Sequence, residues 1–521
     1  MKWLPDMCEM PHSPPWVAGL MKKIRFVVNS ERLFQFSDGS FTKLEYLRQS
    51  PDWCQDDQGR PLWPDLIPRR YPAPEYDAGS LKKLRGYGLL DLNPGEILDR
   101  VEADVNSLVK PGRYADGTTS DSWHSRAAKC LCRLLEISES HDNLPARIKS
   151  LKLIPLQDPL ESWSKPPGIL PIHFPVAHNL MIPKVEGLEL VALHAMDNPE
   201  RVTLFKKLGV HEAAVQSIRS RIFKLFGPSY LSSSTLSTSV QHLQFLYLTE
   251  GLLSSKERGV DGGEFKDCKI FNSSMKIVSC RETIYMPSTE PNGPSSLLGT
   301  EVSSTAEGVS FLHSEYLTDD PAFGGNPEYS LPLWKRWLCD RLSIRSSIRI
   351  VDEDHNLSPE FRKVVDTKPE RIVGILMNAF NRDAGGTPFS TKAISEIANL
   401  PVPCMGGRSA PLPLTYLPTE SLVSIAKATL GPEKFYQMNF LLLRDAGSHV
   451  EKEVRFLIED FSVGVVDDIN YYVDLLDAVL VAAPDAADYT GSWLNVLSIY
   501  LALQRWCEKH PDPAEAYTKI K

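Results

Sequence analysis

The nine cysteines carry the most reactive side chains of this chain, and their spacing limits the chemistry they could support. They lie at positions 8, 54, 130, 132, 268, 280, 339, 404 and 507. A zinc site needs paired Cys-x-x-Cys ligands or a neighbouring histidine cluster, and Cys130-x-Cys132 has neither. The number is odd and the positions are scattered, which argues against a disulfide framework. The sequence therefore predicts buried, reduced thiols in an intracellular protein, either cytoplasmic or nuclear.

Catalytic motifs are absent from the sequence or incomplete. Neither a Walker phosphate loop nor a Gly-x-Ser-x-Gly nucleophile elbow occurs. Gly86-Tyr87-Gly88 lacks the third glycine of a dinucleotide-binding turn, and Val215 stands where His211-Glu212 would need a second zinc-binding histidine. We therefore predict no catalytic, cofactor-binding or metal-ligating residues, and this favours a protein without enzymatic activity.

Three acidic clusters and one histidine could still contribute to a site. The clusters Asp319-Asp320, Asp352-Glu353-Asp354 and Asp467-Asp468 could flank a sugar or a metal. They fall in predicted loops or at element ends, where solvated carboxylates are the simplest interpretation, because a catalytic acid needs burial or a partner. His124 opens a predicted helix without a second ligand near it in sequence, which indicates a surface or capping residue.

The segment 378–386 resembles part of the ATP site of Bergerat ATPases, the gyrase and histidine-kinase type. Such a site needs an acid four residues before the magnesium-binding asparagine, and Gly374 stands there instead. The Asp-x-Gly-x-Gly adenine loop that should follow is also missing. Asp383 with Gly385-Gly386 is most simply a helix end and a turn, so the sequence predicts no ATP site.

The elements that must position these residues are marked by capped helix starts. An Asn, Ser or Asp before a proline supplies a capping acceptor, and proline at the first helical position sacrifices no hydrogen bond. This pattern predicts helices at 94–109, 199–208, 359–366 and 513–519. Apolar residues at helical spacing predict further helices at 123–137, 238–249, 331–342, 369–380, 391–399, 420–429, 432–445, 448–461, 465–482 and 491–508.

A strand–turn–strand pattern that closes on apolar-x-apolar-Pro recurs along the chain. It covers 153–175, 270–287 and 402–418, and a weaker copy runs from 34 to Tyr71-Pro72. Alternating apolar residues indicate half-buried strands, and a closing proline stops ladder extension. The intervals between copies drift, so the pattern predicts a degenerate module and not a tight solenoid repeat.

A helix with a common ending follows each copy of this pattern. The endings are Tyr-Gly-Leu at 87–89, Leu-Gly-Val at 208–210, Leu-Ser-Ile at 342–344 and Phe-Ser-Val at 461–463. Gly209 stands where a left-handed helix cap would lie. We therefore predict an α+β fold with several degenerate strand-hairpin-plus-helix modules, followed by an all-helical C-terminal part.

The chain has 521 residues, which at about 150 residues per domain suggests three or four domain-sized units. The modules divide it into 1–110, 111–230, 231–390 and 391–521, the last combining a fourth hairpin with the helical part. Ser-, Gly- and Pro-rich linkers are predicted at 111–121, 226–238, 287–309 and 319–330.

The net charge of −9 and the pI of about 5.8 argue against a nucleic-acid partner. No apolar run reaches the roughly 18 residues of a membrane helix, so no membrane association is expected.

Ten short motifs, taken in order, carry a family resemblance. They are 59–66, Tyr71-Pro72, 123–126, Leu153-Ile154-Pro155-Leu156-Gln157-Asp158, Phe174-Pro175, 198–210, 311–316, 357–361, 402–407 and Leu417-Pro418. In this order they resemble the body of sacsin and NO VEIN type proteins, and more closely the large fungal sacsin-like proteins. The resemblance spans about 30–465. Members of that family alternate such hairpins with Leu-x-x-Leu-Gly helices, and they carry an N-terminal Bergerat ATPase that this chain lacks.

The resemblance implies a non-catalytic protein-interaction or scaffold protein, like the non-ATPase body of sacsin-like co-chaperones. It implies a protein partner or client, and an ATPase that works beside it is a further candidate partner. Two alternatives stay open. One is a fungal accessory or tailoring enzyme with a loop-assembled site, to which Asp352, Asp354, His355 and Cys404 could contribute. The other is a truncated fragment of a larger ATPase-containing protein.

Overall fold

The computed structural model describes residues 15–56, 59–63, 66–67, 69–108, 121–137, 143–157, 163–164, 171–226, 235–254, 263–299, 309–318, 331–382, 389–443, 455–482 and 489–509. The chain divides into two compact units, Met1–Ile222 and Phe223–Lys521. The predicted helix at 513–519 and the predicted linker at 319–330 lie outside the described residues. The division of the chain into 1–110, 111–230, 231–390 and 391–521 stays a prediction. Each of these four ranges contains one of the strand-and-helix modules described in the next paragraphs.

Helices account for most of the described chain. In chain order they are α1 Pro15–Ser30, α2 Ala78–Tyr87, α3 Pro94–Leu108, α4 Asp121–Ile137, α5 Leu144–Ser150, α6 Pro199–Lys207, α7 Val215–Leu225, α8 Leu236–Leu248, α9 Pro294–Leu298, α10 Leu331–Leu342, α11 Pro359–Thr367, α12 Ile372–Arg382, α13 Thr391–Ala398, α14 Glu420–Leu430, α15 Arg455–Glu459, α16 Ile469–Ala482 and α17 Tyr489–Lys509. The predicted capping is confirmed at α6 and α11, where Asn198 and Ser358 accept the backbone N–H groups of Arg201 and Phe361.

Four copies of one strand arrangement organise the chain, and we call them modules 1 to 4 (34–92, 154–211, 269–345 and 401–464). Each module opens with a two-stranded antiparallel hairpin. The hairpins are β1 Phe34–Gln35 with β2 Phe41–Thr42, β5 Ile154–Pro155 with β6 Trp163–Ser164, β11 Lys269–Phe271 with β12 Ile277–Ser279, and β15 Pro401–Pro403 with β16 Ser409–Pro411. The predicted α+β fold of hairpin-plus-helix modules with a helical C-terminal part is therefore confirmed.

A third strand follows each hairpin and forms parallel pairs. In module 1, β3 Arg48–Gln49 pairs with β4 Leu90–Asp91. In module 2, β7 Ile172–His173 pairs with β10 Glu189–Leu190 and then with His211, and an extra hairpin, β8 Val176–Ala177 with β9 Leu180–Met181, lies between them. In module 3, β13 Thr283–Tyr285 pairs with β14 Val309–Phe311 and then with Arg345. In module 4, Tyr416 alone takes this place and bridges Phe440 and Gly464.

The prediction for the weaker first copy of the sequence pattern was wrong at its last strand. Tyr71-Pro72 is not the third strand of module 1, because Pro72 bridges Phe36 antiparallel to the hairpin. It occupies the place that Val191 and Leu312 take in modules 2 and 3. The true third strand, β3, is polar and only half-buried, so it lacks the apolar alternation on which the pattern depends.

Each module ends with a helix whose last turn reverses the chain toward the third strand. The terminal helices are α2, α6, α10 and α15, and the residue that ends each turn is left-handed, with φ of 113° at Gly88, 95° at Gly209, 56° at Ser343 and 55° at Ser462. The N–H of the next residue returns to a helical carbonyl, as from Val210 to Phe205 at 2.9 Å. This is the Schellman geometry, and it confirms the helix cap predicted at Gly209.

Gly464 shows how closely the last segment of module 4 approaches the third strand. A Cβ atom at this position would lie 2.3 Å from Cδ1 of Tyr416. The phenol of Tyr416 continues past this contact and donates a hydrogen bond of 2.7 Å to Asp474 of α16. A side chain at position 464 would therefore displace the ring that ties module 4 to α16.

The second helix after each of the first three modules packs against the terminal helix of the next module. Leu204 and Leu208 of α6 share a core with α4, and Lys207 forms an ion pair with Glu136 of α4 at 2.6 Å. Tyr247 of α8 contacts Trp334 and Trp337 of α10, with ring centroids 5.1 and 5.5 Å apart.

The same contact recurs between the third and fourth modules. Phe380 of α12 stacks on Phe456 of α15 at 4.2 Å, and it contacts Phe461 edge-on at 6.1 Å. Each of these three terminal helices therefore packs on its own sheet and also covers a helix that comes earlier in the chain.

Two helix predictions and two linker predictions differ from the structure. The described part of 432–445 contains only the short 3-10 helix Phe435–Gln437, because Phe440 and Leu441 bridge Tyr416 and Cys404 in the sheet of module 4. This tertiary pairing overrides the helical spacing of the segment. The described part of 448–461 is helical only over Arg455–Glu459. Helices α8 and α9 begin inside the predicted linkers 226–238 and 287–309.

We predict that Ser343→Gly stabilises the protein. A residue with a Cβ atom pays about 1 kcal/mol for a left-handed φ that glycine adopts freely, and the exposed Ser343 side chain offers little to lose. Urea denaturation should show a free energy of unfolding higher by about 1 kcal/mol. Ser395→Gly, at an exposed position inside α13, is the matched control and should lower it. A loss of stability in both variants would contradict the assigned geometry.

Candidate functional site

The residues proposed for a loop-assembled enzyme site differ in exposure and in structural role. The carboxylate of Asp352 accepts the backbone N–H groups of Asp354 and Asn356, which closes a turn. These hydrogen bonds, first of all the one from Asn356, lower the pKa of Asp352. His355 is exposed at the tip of that turn with φ of 62°. Cys404 is buried in the sheet of module 4, whereas the side chain of His355 is exposed to solvent.

The remaining acidic candidates have structural roles or lie outside the description. Asp468 accepts the backbone N–H of Tyr471 at 2.9 Å, and so it caps α16. Asp467 accepts the hydroxyl of Tyr472 at 3.0 Å. Asp319-Asp320 and residues 383–386 of the Bergerat-like segment lie outside the described residues. Within the part of the chain that the structure describes, no three potential metal ligands converge.

His124 is half-buried in the first turns of α4, next to the ring of Trp123 at 5.0 Å. Burial, with smaller contributions from Arg201 and His194, lowers the pKa of His124 to about 4. The imidazole is therefore neutral at pH 7. It is more buried than the surface position that the sequence indicated.

One buried cluster, between the third strand of module 3 and α11, combines groups that often do catalysis. Arg349 donates to both carboxylate oxygens of Glu360, at 3.1 and 3.2 Å, and the hydroxyl of Tyr285 lies 3.4 Å from the same carboxylate. The Glu360 side chain is only 3% exposed. Burial, reinforced by Glu360, raises the pKa of Tyr285 to about 12, so the phenol stays protonated. The cluster links the third strand to α11, and its enclosure favours a structural role.

The surface that the structure singles out is the outer face of α17, which follows module 4. The inner face of this helix packs Ile499, Leu503 and Cys507 inward, with Ile499 and Leu503 in the core that α14 and α16 share. Asn495 adds a hydrogen bond of 2.8 Å to the carbonyl of Thr429 at the end of α14. These contacts hold α17 in one orientation, so its outer face is presented as a defined surface.

That outer face is apolar, and we call it the α17 surface: Trp493, Leu494, Leu497, Tyr500 and Leu501. These residues recur at spacings of three and four, so they lie on one side of the helix. Trp493, Leu494 and Tyr500 are 55%, 57% and 52% exposed, and the two remaining leucines are nearly half exposed. A surface helix normally turns charged or polar residues outward, yet positions 489–504 contain no charged residue.

The size of the α17 surface sets it apart from scattered exposed leucines. Five side chains, each about half exposed and each about 200 Å² when bare, expose on the order of 500 Å² of apolar area. The largest apolar patch on a typical monomer is roughly 300–600 Å² and often marks an interaction site. Leu480 and Val481 near the end of α16 are also exposed, and only residues 483–488 separate α16 from α17.

The α17 surface also stands out by its position in the repeating pattern. The second helix after modules 1, 2 and 3 is α4, α8 and α12, and each is covered by the terminal helix of the following module. The second helix after module 4 is α17, and no described terminal helix follows it. The sequence predicted this helix but not its exposed apolar face. The absence of charged residues at 489–504 was the feature that could have indicated it.

We predict that Leu497→Glu leaves the fold intact while it changes the α17 surface. The side chain is exposed, so a charge there costs little stability, and the apolar area available to a dye falls. The free energy of unfolding should change by less than about 0.5 kcal/mol, and the fluorescence of a bound naphthalene-sulfonate dye should drop. Leu333→Glu, at an exposed leucine of α10, is the matched control. A large loss of stability in Leu497→Glu would show that the face is buried.

Among the described helices we find no segment with the length and apolar character of a membrane span.

No protein-family model matches the chain, and neither does any curated protein or solved structure. The sacsin-like relationship therefore stays a prediction, and a functional conclusion must come from the geometry of the modules and of the α17 surface.

Proposed function

We propose that this protein is a non-catalytic interaction protein that binds apolar helical segments of other proteins through the α17 surface. One observation carries the proposal: an uncharged apolar helix face is exposed at the position where the three earlier modules have theirs covered. Covering on the order of 500 Å² of apolar area at about 25 cal/mol per Å² would contribute roughly 12 kcal/mol before the costs of association. The costs of association are of similar size, about 4–15 kcal/mol, so a contact of this area is suited to a transient complex.

The three covered helices indicate the chemistry of the partner. Each is met by an amphipathic helix that presents bulky apolar residues: Leu204 and Leu208 on α6, Trp334 and Trp337 on α10, and Phe456 on α15. A partner for the α17 surface should therefore be an amphipathic helix with large apolar side chains on one face. It needs no charge opposite 489–504, because a buried unpaired charge there would cost several kcal/mol.

A client helix of this kind is exposed in partly folded proteins, and this links the proposal to the sacsin-like resemblance. The body of such a co-chaperone would hold apolar segments while a separate ATPase partner acts beside it. The finding that supports this role is the fourfold hairpin-plus-helix module, which is the arrangement on which the resemblance is based. Nucleotide dependence would then belong to the ATPase partner.

The test measures whether the purified chain suppresses aggregation of a heat-denatured model enzyme, followed by light scattering. We expect suppression at a molar excess of wild-type chain, and a several-fold weaker effect with Leu497→Glu, because the charge interrupts the apolar face. Leu333→Glu should act like the wild type. ATP should make no difference, and calorimetry with ATP and magnesium should show no binding heat.

Three results would overturn this function. Equal suppression by wild type and Leu497→Glu would mean that the α17 surface is not the binding face. A wild-type chain that is dimeric by light scattering, and that Leu497→Glu makes monomeric, would mean that a second copy covers the face. Tight ATP binding would end the non-catalytic interpretation.

A further inference from the structure

The described thiols include one pair in direct contact, and it lies at a junction of module 1 with the following helices. Cys54 Sγ and Cys130 Sγ are 3.8 Å apart, and the two residues are 1% and 0% exposed. Cys54 ends the turn Asp52–Cys54 that follows β3, whereas Cys130 lies in the middle of α4. The two sulfurs join segments separated by 76 residues of chain.

Hydrogen bonds to the backbone on both sides of Cys54 hold the segment that carries this thiol next to Cys130. Arg133, about one turn after Cys130 on α4, donates to the carbonyls of Trp53 and Gln55 at 2.9 and 2.8 Å. Ser50 donates to the carbonyl of Cys54 itself at 2.8 Å. Three successive carbonyls are thus fixed, and they hold the Cys54 thiol next to Cys130.

The pair is chemically unequal, which gives the two thiols different roles. The hydrogen bond from the Cys130 thiol lowers the pKa of Cys54, and Ser50 and Arg133 lower it further against the effect of burial. The same hydrogen bond, together with burial, raises the pKa of Cys130. The thiolate is the nucleophilic form, and Cys54 directly precedes Gln55 of the cavity described below, so we assign Cys54 as the candidate attacking sulfur and Cys130 as the candidate resolving one.

A cavity lies beside the segment that carries Cys54, and neither Cys54 nor Cys130 lines it, so a small reagent would have to pass the cavity wall to reach the sulfurs. It has a volume of about 830 Å³, and Ser50, Gln55 and Tyr71 are among its lining residues. The hydroxyl of Tyr71 is buried without a hydrogen-bond partner, and the nearby charges of Cys54 and Cys130 add to the burial that raises its pKa. An unpartnered donor beside two thiols is available to a new oxygen atom bound to sulfur.

From this geometry we propose that Cys54 and Cys130 form a peroxide-oxidation site at which the two thiols close to a disulfide. The Cys54 thiolate attacks one peroxide oxygen, the O–O bond breaks, and the second oxygen leaves as water or an alcohol. Cys54 is now a sulfenic acid, and the Tyr71 hydroxyl donates to its oxygen. The Cys130 thiol then attacks the Cys54 sulfur, the S–O bond breaks, and a second water carries away the proton. Two thiols are oxidised and one peroxide is reduced.

The disulfide would fasten the Asp52–Cys54 turn to α4. Gln55 and Asp56, which directly follow this turn, line the cavity. Oxidation would therefore hold the cavity wall against α4, and it would remove conformational freedom from the unfolded chain. The site is independent of the α17 surface and of the proposed interaction function.

The test treats the full-length protein with a small excess of hydrogen peroxide and maps its peptides without reduction. We expect one linked peptide pair that contains Cys54 and Cys130, an intact mass lower by two hydrogen atoms, and full reversal by a thiol reductant. The oxidised chain should also need more urea to unfold. Cys132→Ser, a substitution on the same helix as Cys130, is the matched control and should keep the cross-link.

The single variants separate the two roles. Cys130→Ser should let the Cys54 sulfenic acid accumulate, so that a dimedone probe labels Cys54 several-fold more than in the wild type. Cys54→Ser should abolish both the label and the cross-link. Peptide mapping of the wild type alone decides the proposal even where a variant does not fold. Oxidised wild type without the Cys54–Cys130 peptide pair, or with Cys54 carried to the sulfonic acid, would overturn it.

Discussion

The parallel pairing between the third strand of each module and the segment just after its terminal helix is the constraint on which the architecture depends. No third strand is longer than three residues. The small sheet that such a strand forms with its neighbours cannot be stable by itself. The terminal helix must return to the sheet, and the left-handed residues at Gly88, Gly209, Ser343 and Ser462 make that return possible. The helix, the turn and the last strand therefore depend on one another for their positions.

Returning to the sheet leaves each terminal helix with a second face, and this face organises the chain beyond a single module. In modules 2, 3 and 4 it covers the second helix after the preceding module, through leucines at α4, indoles at α8 and stacked phenyl rings at α12. The contacts share a geometry and not a residue type. Different apolar side chains can therefore make the same contact at each of the three junctions, whereas the α17 surface is exposed.

Much of this arrangement was readable from residue patterns. Capping residues before prolines located α6 and α11, apolar spacing located α4 and α17, and the common helix endings led to the modules. The failures have one physical cause. Segment 432–445 and the strand β3 take their conformation from pairing with distant strands, and such pairing leaves little trace in local spacing. The candidate site was missed because helical periodicity does not report which face is covered.

The amino-acid sequence by itself determined the local features: helix starts, left-handed turns, hairpins and their fourfold order, since these depend on neighbours within one or two turns of chain. The tertiary structure alone decided what distant segments share. It brought Cys54 to Cys130, enclosed Glu360 beside Arg349, and left the α17 surface uncovered. The physical reason is that burial and sulfur–sulfur contact are properties of pairs far apart in the chain, whereas capping and backbone handedness are properties of single residues.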